Sequence, residues 1–461
     1  MLAAALISLY ADWVPARWPS SDPKSLDLLA GTPINCLWLE PAQWSAPFLE
    51  EAARRGIATV AVIRREGDPV EAAQTAAKMK FDAAVAEGDF DDYTALIVAG
   101  AIAKSKKLLI ESVSRSRMRF DGDSPAASAS APPIIATYQG LWPGIHVEAG
   151  GAATAGPTAN PWIDTNTGFL RFAHASTDSV IWLANRPPPK TVIPASHYLQ
   201  AIGDAWMNGA RWVVELDDDF SQRLMAREAK AMAAWRQIAE AIAHYEEHRE
   251  WRGAQPTGGV AVVEDISRAR LSAGLFDMLA AKHLPIVAVP ISKIATSPAL
   301  RNASVAVETD PSLVGAAERK VLESFSAGGG KLVLGPAPTR ALERPEDVFT
   351  YDPADARVAT IWELVDEAVG TRNLGVRLFN VASMLANVLA TRAQRQLVLH
   401  LVNYSDYPAQ GVTVRLRGVY RHARLYRPGE APIDVDVYKT EDGTGIDIDQ
   451  RFLTIATLVI E

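Results

Sequence analysis

Cysteine is almost absent from this chain: Cys36 is the only one among 461 residues. A single thiol excludes an intrachain disulfide framework and any metal centre built on cysteine. Cys36 lies inside an apolar, strand-like run, so a buried and inert thiol is expected. Positive charge is also in short supply. There are 46 Lys+Arg against 54 Asp+Glu, a formal charge of -8, and no basic cluster interleaved with aromatics. Nucleic acid is therefore excluded as a partner. No apolar run is long enough to span a bilayer. The motifs HExxH, GxSxG, the P-loop and a strand-linked GxGxxG are all missing, so no metal and no cofactor is expected. Residues 1–10 are apolar but lack a basic leader region. They fit the remnant of a trimmed signal segment or a first strand, and a periplasmic or secreted location is favoured over a cytoplasmic one.

What the chain does contain is a series of short apolar segments that each break off at polar residues. Ile34-Asn35-Cys36-Leu37-Trp38-Leu39-Glu40, Ala83-Ala84-Val85-Ala86-Glu87, Leu108-Leu109-Ile110-Glu111 and Trp212-Val213-Val214-Glu215 are the clearest. Helical stretches separate most of them. Alternating buried strands and helices build a parallel sheet, and eight such steps in about 250 residues make a (β/α)8 barrel of TIM type. The strands are expected at 34–40, 57–63, 83–87, 108–112, 134–138, 144–148, 180–184 and 212–216. A long helix at 222–250 closes this first domain, residues 1–252. Eleven of the twelve tryptophans precede position 252, and the Gly/Gln/Pro/Thr stretch 253–259 reads as a hinge.

A second, α/β domain is expected at 258–375, with buried strands at 260–263, 286–289, 305–308 and 332–334 and helices at 269–282 and 311–326. From 377 to 461 the hydrophobic period changes to two. Six short strands separated by turn residues make an antiparallel β-sandwich there.

Chemistry in a barrel sits at the C-terminal strand ends. Glu87 and Glu111 end neighbouring expected strands, and two carboxyls on one rim can divide acid and base or nucleophile work. Such a pair is what glycoside hydrolysis needs. Asp164 is the reserve catalytic candidate, in the Trp162-Ile163-Asp164-Thr165-Asn166 loop segment, where it is equally suited to capping the next helix. Tyr138, Gln139, Trp142, Trp162, Asn166 and Asn185 are placed to stack on or hydrogen-bond a sugar, with Glu40 and Asp217 as further rim contacts. The run Glu215, Asp217, Asp218, Asp219 has the composition of a hard-cation site. It lacks the spacing of an EF-hand loop and reads more simply as the acidic start of a helix.

The domain order resembles a known arrangement. Val321-Leu322-Glu323-Ser324-Phe325 followed by Gly328-Gly329-Gly330-Lys331-Leu332-Val333-Leu334-Gly335-Pro336 resembles the helix, glycine turn and strand of a glutamine-amidotransferase-like domain. Val398-Leu399-His400-Leu401-Val402-Asn403-Tyr404 resembles a terminal sandwich strand. Barrel, cysteine-less amidotransferase-like domain and sandwich together resemble the family 42 β-galactosidase type of glycoside hydrolase. Amidotransfer itself needs a nucleophilic cysteine, which this domain lacks. The resemblance implies a glycosidic substrate and a homo-oligomer formed through the middle domain. It departs at the catalytic positions. Where that family carries a nucleophilic glutamate after strand seven, this chain reads Ala184-Asn185-Arg186. The Asn-Glu pair that ends strand four there is replaced by Ile110-Glu111. The expectation is a divergent glycosidase using its own carboxylate pair on a glycoside, oligosaccharide or polysaccharide. The alternative is a carbohydrate-binding or scaffold protein on a degenerate barrel.

Overall fold

Eight parallel strands form the first sheet: β1 Pro15–Arg17, β2 Cys36–Leu39, β3 Ala58–Arg64, β4 Ala83–Glu87, β5 Leu108–Val113, β6 Ile134–Thr137, β7 Val180–Leu183 and β8 Ala210–Trp212. A parallel bridge between Ala16 and Val214 joins the first strand to the segment following the last. The Arg17 amide donates to the Val214 carbonyl at 2.8 Å, and the ring of strands is thereby closed. These coordinates are a computed structural model, which describes residues 10–120, 132–145, 163–265, 276, 279–280, 283–309, 311–334, 356–370, 375–381, 383–391 and 396–461.

Strand alternation decides what fills the barrel. Cys36, Trp38, Val60, Val62, Ala83, Val85, Ile110, Ile134, Ala136, Trp182, Ala184 and Val213 make one buried interior cluster. Trp38 and Trp182 face each other across it at 5.9 Å. Cys36 is fully buried there, and desolvation pushes its thiol well up, as expected of an inert cysteine. Helices α1 Ala46–Arg54, α2 Pro69–Lys78 and α3 Asp92–Lys104 follow β2, β3 and β4. Asp68 and Asp91 cap the last two by accepting from the amides of Glu71 and Thr94.

The count of eight strands agrees with the sequence reading, but one member differs. The expected strand at 144–148 is not in the barrel: Gly144–Ile145 pairs antiparallel with Ile163–Asp164. The missing member is β1, whose three residues Pro-Ala-Arg carry no apolar run to mark them. Every strand from β2 to β6 therefore moves up one place in the count. The expected long helix at 222–250 is two helices, Asp218–Met225 and Ala229–Glu246. The break lies at Arg227, which adopts a left-handed φ of 57°.

Contacts divide the chain into two units: 1–141 with 177–198 and 210–246, and the remainder. The second unit holds a four-stranded parallel sheet in the order Ile286–Pro290, Val260–Glu264, Val305–Glu308, Lys331–Leu334. Helix Ala316–Ala327 follows the third of these strands and stops at Gly328, with Gly329 left-handed at φ 96°. The expected helix at 269–282 falls largely outside the described residues. Two antiparallel sheets, of six and four strands, share one core from Val376 to Ile460. They include Val376–Phe379 and Met384–Ala390, which the sequence reading left unassigned.

The second unit also holds a buried carboxyl. Asp204 accepts from the Asn166 amide at 2.8 Å, the Asn166 side chain at 2.7 Å, Thr167 Oγ1 at 3.1 Å and the Tyr404 hydroxyl at 2.8 Å. Burial pushes its pKa up, while these donors pull the other way. Tyr404→Phe removes one donor from a fully enclosed acceptor. A loss of about 1–3 kcal/mol in urea unfolding is expected, with an unchanged transition ruling out this role for the hydroxyl.

Candidate active site

The C-terminal strand ends of the barrel carry three carboxyls and three guanidiniums in one connected cluster. β1 ends on Arg17, which is 7% exposed. Its parity is that of Cys36 and Trp38, the partners of Pro15 and Arg17 in register, so its side chain enters the barrel. There the guanidinium binds Glu40, after β2, and Glu87, at the end of β4. Its Nε lies 2.8 Å from a carboxyl oxygen of Glu215, which follows β8. Its Cζ stands 5.2 Å from the centre of the Trp38 ring, a cation–π contact.

Two further arginines complete the cluster. Arg64, at the end of β3, donates to both oxygens of Glu40 at 2.7 and 2.8 Å and pairs with Glu87 at 2.8 Å. Arg186, after β7, donates to Glu40 at 2.7 Å and lies 3.5 Å from Glu215. Its side chain is 48% exposed, so the cluster grades from a buried floor at Arg17 to an open rim. Glu87 is 6% exposed, and Gly88 beside it takes φ 122°, which turns the chain immediately after the carboxylate.

The electrostatics mark Glu215. Burial pushes Glu215 up to about 7; Arg17 opposes this, and the charges of Glu87 and Glu40 reinforce it. The Arg17 guanidinium is held firmly charged: burial opposes the charge, and Glu87, Glu215 and Glu40 together outweigh that cost. A carboxyl pushed up to about 7 is suited to donate a proton near neutral pH.

The sequence-derived candidates distribute unevenly over this geometry. Glu87 and Glu40 belong to the cluster. Glu111 does not: its register partner is Ala86, and Glu87 pairs with the fully buried Ser112. Neighbouring residues of a strand face opposite sides, so Glu111 points to the outer face of the barrel, where it is exposed. The expected pairing of Glu87 with Glu111 on one rim is therefore corrected.

Asp217 is likewise corrected from sugar contact to structural cap. Its Oδ1 accepts from the Phe220 amide at 2.9 Å, and its Oδ2 accepts from the Tyr198 hydroxyl at 2.9 Å and the Ile193 amide at 3.1 Å. Asp218 and Asp219 occupy the first turn of that helix, and Asp219 pairs with Arg223. Asp217, Asp218 and Asp219 are thus a helix start, whereas Glu215 joins the Arg17 cluster, and no His/Cys/Asp/Glu group suited to a metal occurs among the described residues. Asn166 is fully buried against Asp204 and is corrected in the same way.

The remaining candidates lie as follows. Tyr138, half-buried, is pushed up by burial and by the neighbouring Asp89 carboxylate. Gln139 accepts from the Arg115 amide through its side chain, and Asn185 donates to the Gly140 carbonyl at 2.5 Å. Trp142 and Asp164 are half-buried and belong to the second unit. Trp162 lies outside the described residues. The sequence reading missed Arg17, Arg64 and Arg186 altogether. Position at a strand end was the available signal for Arg64 and Arg186, but arginine was not sought there. Arg17 had no signal, since its strand was not recognised.

No protein-family model matches the chain, and neither does any curated protein. Solved structures do. The chain is similar to α-L-fucosidase isoenzyme 2 from Paenibacillus thiaminolyticus, with a TM-score of 0.61 at 11% identity, over 97% of this chain and 99% of that one. It is also similar to an exo-carrageenase GH42 from Bacteroides ovatus, with a TM-score of 0.46 at 10% identity, over 80% of this chain and 54% of that one. A rhamnosidase from Novosphingobium sp. PP1Y matches with a TM-score of 0.43 at 12% identity, over 79% and 38%. The fucosidase match extends over both chains almost end to end, and at this identity it establishes a shared fold.

Proposed function

We propose that the protein is a glycoside hydrolase whose proton donor is Glu215 and whose partnering carboxylate is Glu87. The single observation that carries this reading is the convergence of both groups on Arg17, with Glu215 pushed up to about 7. In the acid form Glu215 protonates the glycosidic oxygen as the bond to the anomeric carbon breaks, and the alcohol leaves with that proton. The Glu87 carboxylate supports the positive charge that develops on the sugar; water then adds to the anomeric carbon and gives a proton to the Glu215 carboxylate, which restores the acid. Glu40 and Arg186 contact the sugar from the rim, with Tyr138 and Asn185 on the neighbouring strand ends. Glu87 closes the fourth strand of the observed barrel, the place that the family 42 resemblance assigns to a glutamate, with Ala86 standing where that family has asparagine. The reading is also supported by a four-stranded parallel sheet that precedes two antiparallel sheets along the chain. Support also comes from the full-length fold similarity to a protein named as a fucosidase.

A second reading has its own observation. Glu87 is enclosed by two guanidiniums, as it would be in a barrel that binds a glycan without cutting it. A panel of p-nitrophenyl glycosides and natural oligosaccharides separates the two. Release of nitrophenol or of a new reducing end is expected. Saturable binding across the panel with no released product would place the protein in the second class.

A further inference from the structure

Helix α3 is apolar on both of its sides. Val98 and Ile102 are buried against the barrel. On the opposite side Tyr93 is 74% and Leu96 72% exposed, and Gly100 and Ala103 are exposed with them. A surface helix of a monomer normally presents polar residues there. Among the described residues β5 is followed only by the short 3-10 turn Arg115–Arg117, and on its outer face Leu109 and Val113 are half-buried on either side of exposed Glu111. Exposed Asp91 and Asp92 at the start of the helix and exposed Lys104 and Lys106 at its end flank the apolar stripe with charge.

We infer that this face binds a second copy of the same chain, α3 against α3, antiparallel about a two-fold axis that crosses the exposed side midway between Leu96 and Gly100. The argument is self-complementarity. Turning the helix end for end about that point sets Tyr93 opposite Ala103, Leu96 opposite Gly100 and Asp92 opposite Lys104. Each large side chain meets a small one, and the space over Gly100 is open: a Cβ added there meets nothing within 4 Å. Each acidic end meets a basic end. An interface of this kind is isologous, so every favourable pair occurs twice. The helix is about 20 Å long, which sets the contact at the small, transient end of the size range. This inference does not depend on the catalytic reading, because none of the residues of this face belongs to the Arg17 cluster.

Sedimentation velocity of the full chain over a concentration series tests it. A reversible dimer in the micromolar range is expected, weakened by added salt because the Asp92–Lys104 pairs lie at the interface edge. Leu96→Asp is expected to weaken association about tenfold or more, as loss of an interface anchor does. Asp92→Lys weakens it too, and the double variant Asp92→Lys/Lys104→Asp restores it, because the two-fold axis carries both changes to both sides. Circular dichroism melting of each variant checks that α3 still folds. A monomer at every concentration overturns the inference. So does a wild-type oligomer that Leu96→Asp leaves intact, which would point instead to association through the middle domain.

Discussion

Replacing Glu215 by Gln is expected to lower kcat on a cleaved glycoside by about 10²–10⁴-fold, the range for loss of a general acid. Glu87→Gln should have an effect at least as large, while Glu111→Gln should leave turnover close to wild type. The pH profile distinguishes the roles. With Glu215 at about 7, the wild-type rate falls on the alkaline side as that proton is lost. The Glu215→Gln variant should lose this limb while keeping whatever residual rate it has. Stability carries the same signature with a definite sign. The folded-state pKa of this carboxyl is raised above the ordinary value of 4.5, so the folded form binds the proton more tightly. Its contribution to stability is complete below about 4.5 and is lost as the pH rises through about 7. In Glu215→Gln that part of the pH dependence disappears. If turnover survives in both the Glu215 and Glu87 variants, the assignment of this pair is wrong.

Arg17→Met should be the most destabilising single change in the cluster, costing about 3–5 kcal/mol because it strips the shared partner from enclosed carboxyls. Glu40, Glu87 and Glu215 all depend on this guanidinium, and their side chains are only 19%, 6% and 15% exposed. Urea unfolding followed by tryptophan emission measures the loss, since Trp38 lies against Arg17 itself. The destabilisation should shrink as the pH is lowered and Glu215, whose charged form Arg17 favours, takes up its proton. Arg186→Met provides the contrast. Its side chain is half in solvent, so water screens its pairs with Glu40 and Glu215, and a loss within about 1 kcal/mol is expected. Equal effects for the two arginines would mean that the cluster has no buried floor.

The apolar runs at Cys36–Leu39, Ala83–Glu87 and Val180–Leu183 were readable because a strand buried on both faces has to be apolar throughout. That also made Glu87 and Glu40 visible, as the first polar residues after such runs. Pro15–Arg17 was not readable, because three residues hold no pattern, yet it supplies the residue that organises the site. Asp217 and Glu215 stand two positions apart in one acidic run. Nothing local distinguishes the carboxyl that caps a helix from the one that enters the cluster.

By itself, then, the sequence determined the strand–helix alternation, the approximate number of strands, the change to antiparallel pairing near the C-terminus, and the exclusion of cysteine chemistry. These follow from composition and hydrophobic period, which act over a few residues at a time. Only the tertiary structure decided that Glu111 faces outward while Glu87 faces in, and that arginines from β1, β3 and the end of β7 meet carboxyls from β2, β4 and β8. The reason is that closing the barrel fixes register and pleat between strands far apart in the chain, and a one-residue difference in register exchanges the inner face for the outer.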